Sequence, residues 1–488
     1  MPSEFFRWVI IDVDGKEYEV NKDNWEKCEL WKKKDRKYMA LKNFVRNELV
    51  GKPEKKQEPK HIDYMRKLEL VDYCPESDIG NMKWYPNGVL IKDLILDYAL
   101  KNIALPWGAV KIQNPLLYRT SVKEVAELMK EFLEREYKVK SDDKELVLRF
   151  ASDPGAFPAI KRMIYTYNHL PLKVYEEAIC FRREQSGELL GLARVRNFTM
   201  SDMHALCADE KSAKKEFEEL CLQFQQLMES MIAKDWAFGW EVVNEYFDKY
   251  KEWFKQIIKK MDMPAFFKIM REMWHYYAFK NEFQAILPDG NNLQISTVQW
   301  DVKNGKRFGF EYVGKDNKKH PIQIVLHASS FGSVERALCS MLERAAGMEK
   351  EGFLPMLPVW LSPEQVRLLP VADRHLPFAE KLADEFELAG IRVGIDDRSE
   401  RVPKKVHDAK MRWIPYIIVI GDKEVGGGKL RVVIREGAKA EEEKIVEMTK
   451  DEFILMFKEK YGEFPKRPMY IPRLLTKRPI FVAWSDSR

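Results

Sequence analysis

The sequence predicts an α/β (α+β) protein of more than one domain, on three observations. Residues 61–350 mix alternating apolar–polar runs, which read as strands, with amphipathic stretches of helical period. After residue 350 the pattern becomes strand, helix, strand, helix, strand, the signature of an α/β domain with a mostly parallel sheet. The chain has 488 residues and is 45% hydrophobic, enough for two or three domains with real cores. The predicted division is a small N-terminal element and linker (1–60), a central domain (61–350) and a C-terminal domain (351–488).

The elements follow in chain order. WVIIDVDGKEYEV (8–20) alternates around Asp14-Gly15 and reads as a β-hairpin. GKPEKKQEPK (51–60) is rich in Lys, Glu and Pro and reads as a solvated linker. LIKDLILDYAL (90–100) has helical period, and AVKIQNP (109–115) reads as a strand stopped by Pro115. SVKEVAELMKEFLEREY (121–137) is amphipathic, with Ser121 as N-cap, and residues 212–232 form a second such helix. The aromatic, lysine-rich stretch 240–283 reads as a helical insertion. LQISTVQWDV (293–302) alternates as a strand. Beyond 350 come the strand VRLLPVA, a helix closed by Gly390, the strand IRVGIDD, a helix over SERVPKKVHDAKMRW, the strand PYIIVIGD, the pair KLRVVIREG and a final helix.

Composition narrows the function. Charged residues make up 33% of the chain, but the net charge is only +5, so nucleic-acid contact must come from local patches. One such patch is RVPKKVHDAKMR (401–412); another is the Pro-rich basic tail PKRPMYIPRLLTKRP (465–479). Six scattered cysteines without CxxC spacing argue against a disulfide framework and for a reducing cytoplasm. No signal peptide or membrane-length apolar run is evident.

Three stretches carry chemistry. In CFRREQSGELLGLARVRNFTMSDMHALC (180–207), period-2 alternation puts Arg182 and Glu184 on one face of a first strand. It puts Arg194, Arg196, Phe198, Met200, Asp202 and His204 on one face of a second. Guanidinium forks suit phosphate oxygens and an aromatic ring suits a nucleobase, so the face looks built for a nucleotide. The alternative is a solvated charged face with ordinary ion pairs. In LQISTVQWD, Thr297, Gln299 and Asp301 share one parity, with Gln294 a bulge away. In HASSFGSVERALCSMLERAAG, Arg336 lies in the first turn of a helix opened by Gly332-Ser333. A cation there defies the helix dipole unless arginine and helix amides share an anionic ligand. His327 sits just upstream.

These elements, in this order, resemble the signature motifs of class II aminoacyl-tRNA synthetases. FRRE…GLARVRNF resembles motif 2, FGSVERALCSMLE motif 3, and WYPNGVLIKDLILDYAL…KIQNP motif 1, the dimer element. Within the class, EQSGELLGLARVRNFT followed by DxH, with TVQWD and YAFKNEF, is most similar to the threonyl-tRNA synthetase family of archaeal type. Residues 365–425 resemble its anticodon-binding domain. The resemblance implies an antiparallel-sheet catalytic domain that joins L-threonine to the 3′-OH of the terminal adenosine of tRNA(Thr), with ATP and Mg²⁺, in a cytoplasmic homodimer. It implies that Arg182 holds the α-phosphate, Glu184 contacts adenine and Arg194 binds the γ-phosphate. Phe198 and Arg336 would sandwich the ring, with Gln294 and Thr297 beside the ATP. Asp202, Tyr277, Gln299 and Ser333 would bind the substrate, and Arg398 and Glu400 the anticodon.

The family holds Zn²⁺ with one cysteine and two histidines. His204 and His327 fall on the histidine positions and Asp153 stands at the cysteine position. Two histidines and a carboxylate with an open site are an accepted catalytic set, so zinc is expected here. Met200 departs from the family's glutamine, Ala278-Phe279 from its YGPK loop, and Pro403 and His407 from its anticodon helix. About 60 residues precede the catalytic region, which reads as too short for the family's N-terminal editing domain. A separate trans-editing protein is therefore expected. The competing readings are a prolyl- or seryl-type ligase, and a non-catalytic tRNA-binding paralogue. His204 with His327 argues against the first, and the intact Arg182, Glu184, Arg194 and Arg336 against the second.

Overall fold

The structure is a computed structural model that describes residues 5–53, 58–130, 135–439, 442 and 444–484. The chain divides into two compact units, one of residues 1–57 and 102–340, the other of residues 58–101 and 341–488. This division departs from boundaries at 60 and 350, and strand pairing is the reason. The hairpin Phe5–Ile11 and Glu17–Val20 is not a separate element, because Phe5–Ile11 pairs antiparallel with Ala265–Met270 far along the chain. Likewise helix Lys60–Lys67 belongs to the second unit, where the His61 amide and Nδ1 reach Glu343 Oε1 at 2.9 and 2.7 Å.

The first unit is built, among the described residues, on an eleven-stranded sheet. Its ladders are antiparallel except for two: Trp236–Val243 with Ala265–Met270, and Val110–Lys111 with Leu172–Phe181. At its centre Thr297–Asp301, Ile324–Ser329, Asn197–Cys207 and Leu172–Phe181 lie side by side. Helix Glu210–Ile232 is capped by Asp209, whose side chain accepts from the Ser212 amide.

Several elements differ from their sequence reading. The stretch 240–283 is not a helical insertion. It holds helix Asn244–Met261 between Trp236–Val243 and Ala265–Met270, the crossover that a parallel pair needs, and then strand Tyr277–Ile286. Every residue of Trp236–Val243 and Ala265–Met270 is buried, so the alternation that marks a half-exposed strand is missing. The aromatic residues there are core: Trp240 stacks on Phe267 with centroids 5.6 Å apart. The helix expected over 121–137 spans Lys123–Met129 with Val122, not Ser121, at the N-cap, and residues 131–134 lie outside the described residues. So do residues 54–57 of the expected linker. The strand expected over 293–302 is broken into Asn292–Gln294 and Thr297–Asp301.

The second unit carries a five-stranded sheet in the order Val393–Ile395, Val366–Pro370, Tyr416–Ile420, Leu430–Ile434, Lys444–Met448. The three strands that alternate with helices run parallel, and the last two join antiparallel. The tail is packed rather than free. Arg467 binds Asp93 and Asp97, Arg473 binds Asp384, and Arg478 binds Glu364, so these arginines are already committed to carboxylates. Among the described residues no helix is long and apolar enough to cross a membrane.

Helix Arg36–Leu49 lies across the sheet of the first unit, and its Phe44 ring leaves room only for glycine at position 239. A Cβ there would stand 2.6 Å from Phe44 Cε1 and 2.9 Å from Cζ. Gly239→Val is expected to cost about 1–3 kcal/mol through overpacking. Denaturant unfolding checks this, and an unchanged midpoint refutes the close contact.

Candidate active site

The site is laid out by strand register. In the central ladders His204 stands opposite His327, His327 opposite Gln299, and Gln299 opposite Lys280. One step along, Asp202 stands opposite Ser329 and Ser329 opposite Thr297. Directly opposed residues share a face, so a polar row runs across the middle of the sheet. Helix Asp153–Lys161 brings Asp153 to the end of that row. A buried ion pair fixes the segment ahead of this helix. Arg149 Nη1 meets Glu176 Oε1 at 2.6 Å, its Nε donates to the Ile179 carbonyl at 3.0 Å, and Asn114 Nδ2 donates to Glu176 Oε2 at 2.8 Å.

A cavity of about 270 Å³ opens on this face. Arg182, Glu184, Arg194, Phe198 and Met200 line one side, Gln294, Thr297 and Gln299 another, and Ser333 and Arg336 a third. The structure thus brings together all seven residues expected at the nucleotide. Ser333 caps helix Val334–Lys350, its Oγ accepting from the Arg336 amide at 3.2 Å. Gly332 makes the turn into that helix at φ +64°, where a Cβ would lie 2.4 Å from the Ile295 carbonyl oxygen. The Arg336 guanidinium donates to the carbonyls of Ala193 at 3.3 Å and Gln294 at 3.5 Å. The Arg182 guanidinium lies 5.1 Å from the centroid of the Phe198 ring.

The electrostatics ask for an anion. Burial lowers the pKa of Arg182 and of Arg336, and the neighbouring Arg182 and Arg194 lower Arg336 further. A polyanion in the cavity would relieve both strains. Arg194 is held by Glu184, its Nε at 3.0 Å and Nη2 at 2.7 Å from Oε2, and by Glu188 at 3.0 Å. Arg194 and Glu184, expected at opposite ends of a nucleotide, therefore bind each other in this structure.

Deeper on the face, Asp153, His204 and His327 offer ligand atoms all within 4.8 Å of one another. Asp153 Oδ1 is 3.5 Å from His204 Nε2 and 3.3 Å from His327 Nδ1. His204 Nε2 is buried and makes no hydrogen bond, an orphaned donor atom aimed into the cluster. Burial would raise the pKa of Asp153, but the two histidines hold it well below the usual carboxylate range. Burial would likewise lower His327, yet Asp153 and Asp301 push it up to about 10. Asp202, beside His204, bonds Ser152, and burial followed by the nearby Asp153 raises it to about 6. The donor set and the orphaned nitrogen fit a divalent cation.

Placement differs from expectation at Tyr277. Its hydroxyl donates to Glu241 Oε2 at 3.0 Å, inside the sheet's charged cluster. A bulge between Tyr277 and Phe279 shifts the register, and the residue that faces the site is Tyr276. Tyr276 donates to Gln299 Oε1 at 2.6 Å, and its ring lies 4.9 Å from that of His327. Two adjacent tyrosines in HYYAFK gave no sequence signal for choosing between them. In the second unit Arg398 is clamped by Asp396 at 2.7 Å and Asp408 at 3.0 Å, while Glu400 is exposed in the turn ahead of helix Val402–Met411.

Comparison with known proteins bears on this geometry. The family model for the tRNA synthetase class II core domain (G, H, P, S and T) matches residues 137–237 and 223–345. The anticodon binding domain model matches residues 365–460. A threonine–tRNA ligase of Methanoculleus marisnigri is 38% identical over 90% of this chain and 71% of its own length. One from Pyrococcus horikoshii is 36% identical over 97% of this chain and 74% of its own. Among solved structures, the RNA binding domain of threonyl-tRNA synthetase from Cryptosporidium parvum superposes with a TM-score of 0.70 at 20% identity, covering 84% of this chain and 99% of that one. A putative threonyl-tRNA synthetase from Aeropyrum pernix gives 0.67 at 17% identity, covering 84% and 98%. These last two likenesses show the fold.

The Arg149–Glu176 pair is buried on both sides, at 2% exposure for each residue. Glu176→Ala strands the guanidinium and is expected to destabilise the protein by about 3–5 kcal/mol in urea unfolding. A cost below about 1 kcal/mol would show that the pair does not hold this segment.

Proposed function

Because the chain belongs to the threonine–tRNA ligase family, we propose that the 270 Å³ cavity is where its threonine and ATP react. The activity is that of an aminoacyl-tRNA ligase, which uses ATP, with Mg²⁺, to attach threonine to tRNA. The observation that carries the siting is the convergence of three arginines, two of them with pKa values lowered by burial, on one concave face beside a histidine–carboxylate cluster.

Arg182 holds the α-phosphate and Arg194 the γ-phosphate. Phe198 and Arg336 flank adenine, Glu184 contacts it, and Gln294 and Thr297 line its ribose side. Binding of ATP exchanges the Glu184–Arg194 pair for contacts to the nucleotide. Asp202, Gln299, Ser333 and Tyr276 orient threonine. Its carboxylate oxygen attacks the α-phosphorus and pyrophosphate leaves; then the 3′-OH of the terminal adenosine attacks the carbonyl carbon and AMP leaves. The protein's part is alignment and neutralisation of charge.

Asp153, His204 and His327 would hold Zn²⁺, whose Lewis acidity would grip the amine and hydroxyl of threonine. Valine, lacking the hydroxyl, is rejected by such a site. Serine, smaller by one methyl group, loses only about 1–3 kcal/mol, so this site alone discriminates against it weakly. Glu400 faces the anticodon. A homodimer fits the exposed apolar Leu105, Val110, Leu116 and Leu117 around the motif 1 strand, and cytoplasmic residence fits six free cysteines.

Threonine-dependent ATP–pyrophosphate exchange is expected, and Arg336→Ala should lower it by about 10²-fold or more. Absence of exchange with threonine in the unaltered chain overturns the siting. Tyr276→Phe should raise KM for threonine about 5-fold, the worth of one hydrogen bond, while Tyr277→Phe leaves it unchanged. The reverse pattern would return the role to Tyr277. Metal analysis should find about one zinc per chain, lost on Asp153→Ala together with discrimination against valine; unchanged zinc content removes Asp153 from the ligand set.

A further inference from the structure

We infer that Asp301 is a positioning residue that decides which nitrogen of His327 is offered to the metal. This rests on the reading of Asp153, His204 and His327 as a metal centre. Asp301 ends the strand Thr297–Asp301 and is fully buried. Its two oxygens have separate tasks. Oδ1 accepts the backbone amides of Lys303 at 2.7 Å and Asn304 at 2.9 Å, which stops the carboxylate from turning. Oδ2 is thereby aimed at His327 Nε2, 2.8 Å away.

With Oδ2 placed to accept from the ring, Nε2 is the nitrogen that keeps its proton, and Nδ1 is the one left to bind a metal. Nδ1 is the nitrogen that faces the cluster, 3.3 Å from Asp153 Oδ1. Flipping the ring would put Cδ2 where Nδ1 now faces the cluster and would take Nε2 away from Asp301 Oδ2. The other histidine is held less firmly: His204 Nδ1 lies 3.5 Å from Asp202 Oδ2. The two histidines are therefore unequal ligands. His327 is locked in one tautomer and orientation and made a stronger donor by its carboxylate, and it anchors the centre to the sheet.

The Asp301→Asn variant separates the two tasks. The amide oxygen still accepts from Lys303 and Asn304, while the NH₂ group cannot accept from His327 Nε2. Zinc titration of the full chain against a chromophoric chelator should show dissociation about 10–100-fold weaker in Asp301→Asn than in the unaltered chain. The melting temperature with the chelator in excess should match that of the unaltered chain. Independently of any variant, ¹⁵N-histidine NMR of the zinc-loaded protein should show His327 protonated at Nε2 and metal-bound at Nδ1. An unchanged zinc constant in Asp301→Asn, or metal at Nε2, overturns the role of Asp301 while the metal reading stands. An unaltered chain that takes up no zinc overturns both.

Discussion

The site depends on the register between Asn197–Cys207 and Ile324–Ser329. Side chains alternate along a strand, so a slip of one residue in either would turn His204 or His327 away from the other and break the row that begins with Asp202. Two kinds of contact resist such a slip. Residues 201–207 and 324–329 are buried throughout, so a shifted register would expel apolar side chains from the core. Ser201 and Ser330 bond to each other through their hydroxyls at 2.5 Å, a link that only this register permits. Chemistry and folding thus rest on the same alignment.

On that frame the face holds two electrostatic regions of opposite character. Toward the helix that begins at Val334, Arg182, Arg194 and Arg336 crowd together with Glu184 as their immediate counterweight. Toward the helix that begins at Asp153, three carboxylates surround two histidines. One end suits a triphosphate and the other a cation with an amine. A substrate spanning both must carry its negative charge at one end and its positive charge at the other, as an amino acid beside ATP does. Neither region satisfies itself: burial disfavours the charged arginines, and the buried His204 Nε2 makes no hydrogen bond.

Much of the site was legible in the sequence because it is carried by alternation. Counting in twos puts Phe198, Asp202 and His204 on one face of a strand, and the ladder has them at that parity. Arg182, Glu184, Arg194 and Arg196 instead lie beyond the strand ends at Phe181 and Asn197, and the first three line the cavity from the connection between the strands. Arg336 was found because a cation in the first turn of a helix needs a reason. What alternation could not show is where it breaks. The bulge after Tyr277 exchanged the faces of two tyrosines, and the full burial of Trp236–Val243 erased the pattern of a strand. The place of the first 50 residues in the large sheet was hidden for a different reason: pairing between Phe5–Ile11 and Ala265–Met270 leaves no trace in either segment read alone. The arginines of the tail read as free basic charge, although their carboxylate partners Asp93, Asp97, Glu364 and Asp384 lie outside the tail, far earlier in the chain.

The aspartate at position 153 also changes what kind of damage the pocket can suffer. A thiolate at that place would be open to stepwise oxidation to sulfenic and sulfinic acid, each step removing a ligand. A carboxylate has no such chemistry. The cysteines on the same strands, Cys180 and Cys207, are fully buried, and burial pushes the Cys180 thiol up to about 12 and raises the Cys207 thiol as well. Both stay protonated and unreactive at neutral pH. Peroxide or disulfide stress therefore finds no thiolate among Asp153, His204 and His327, and the sulfur left lining the cavity is the thioether of Met200.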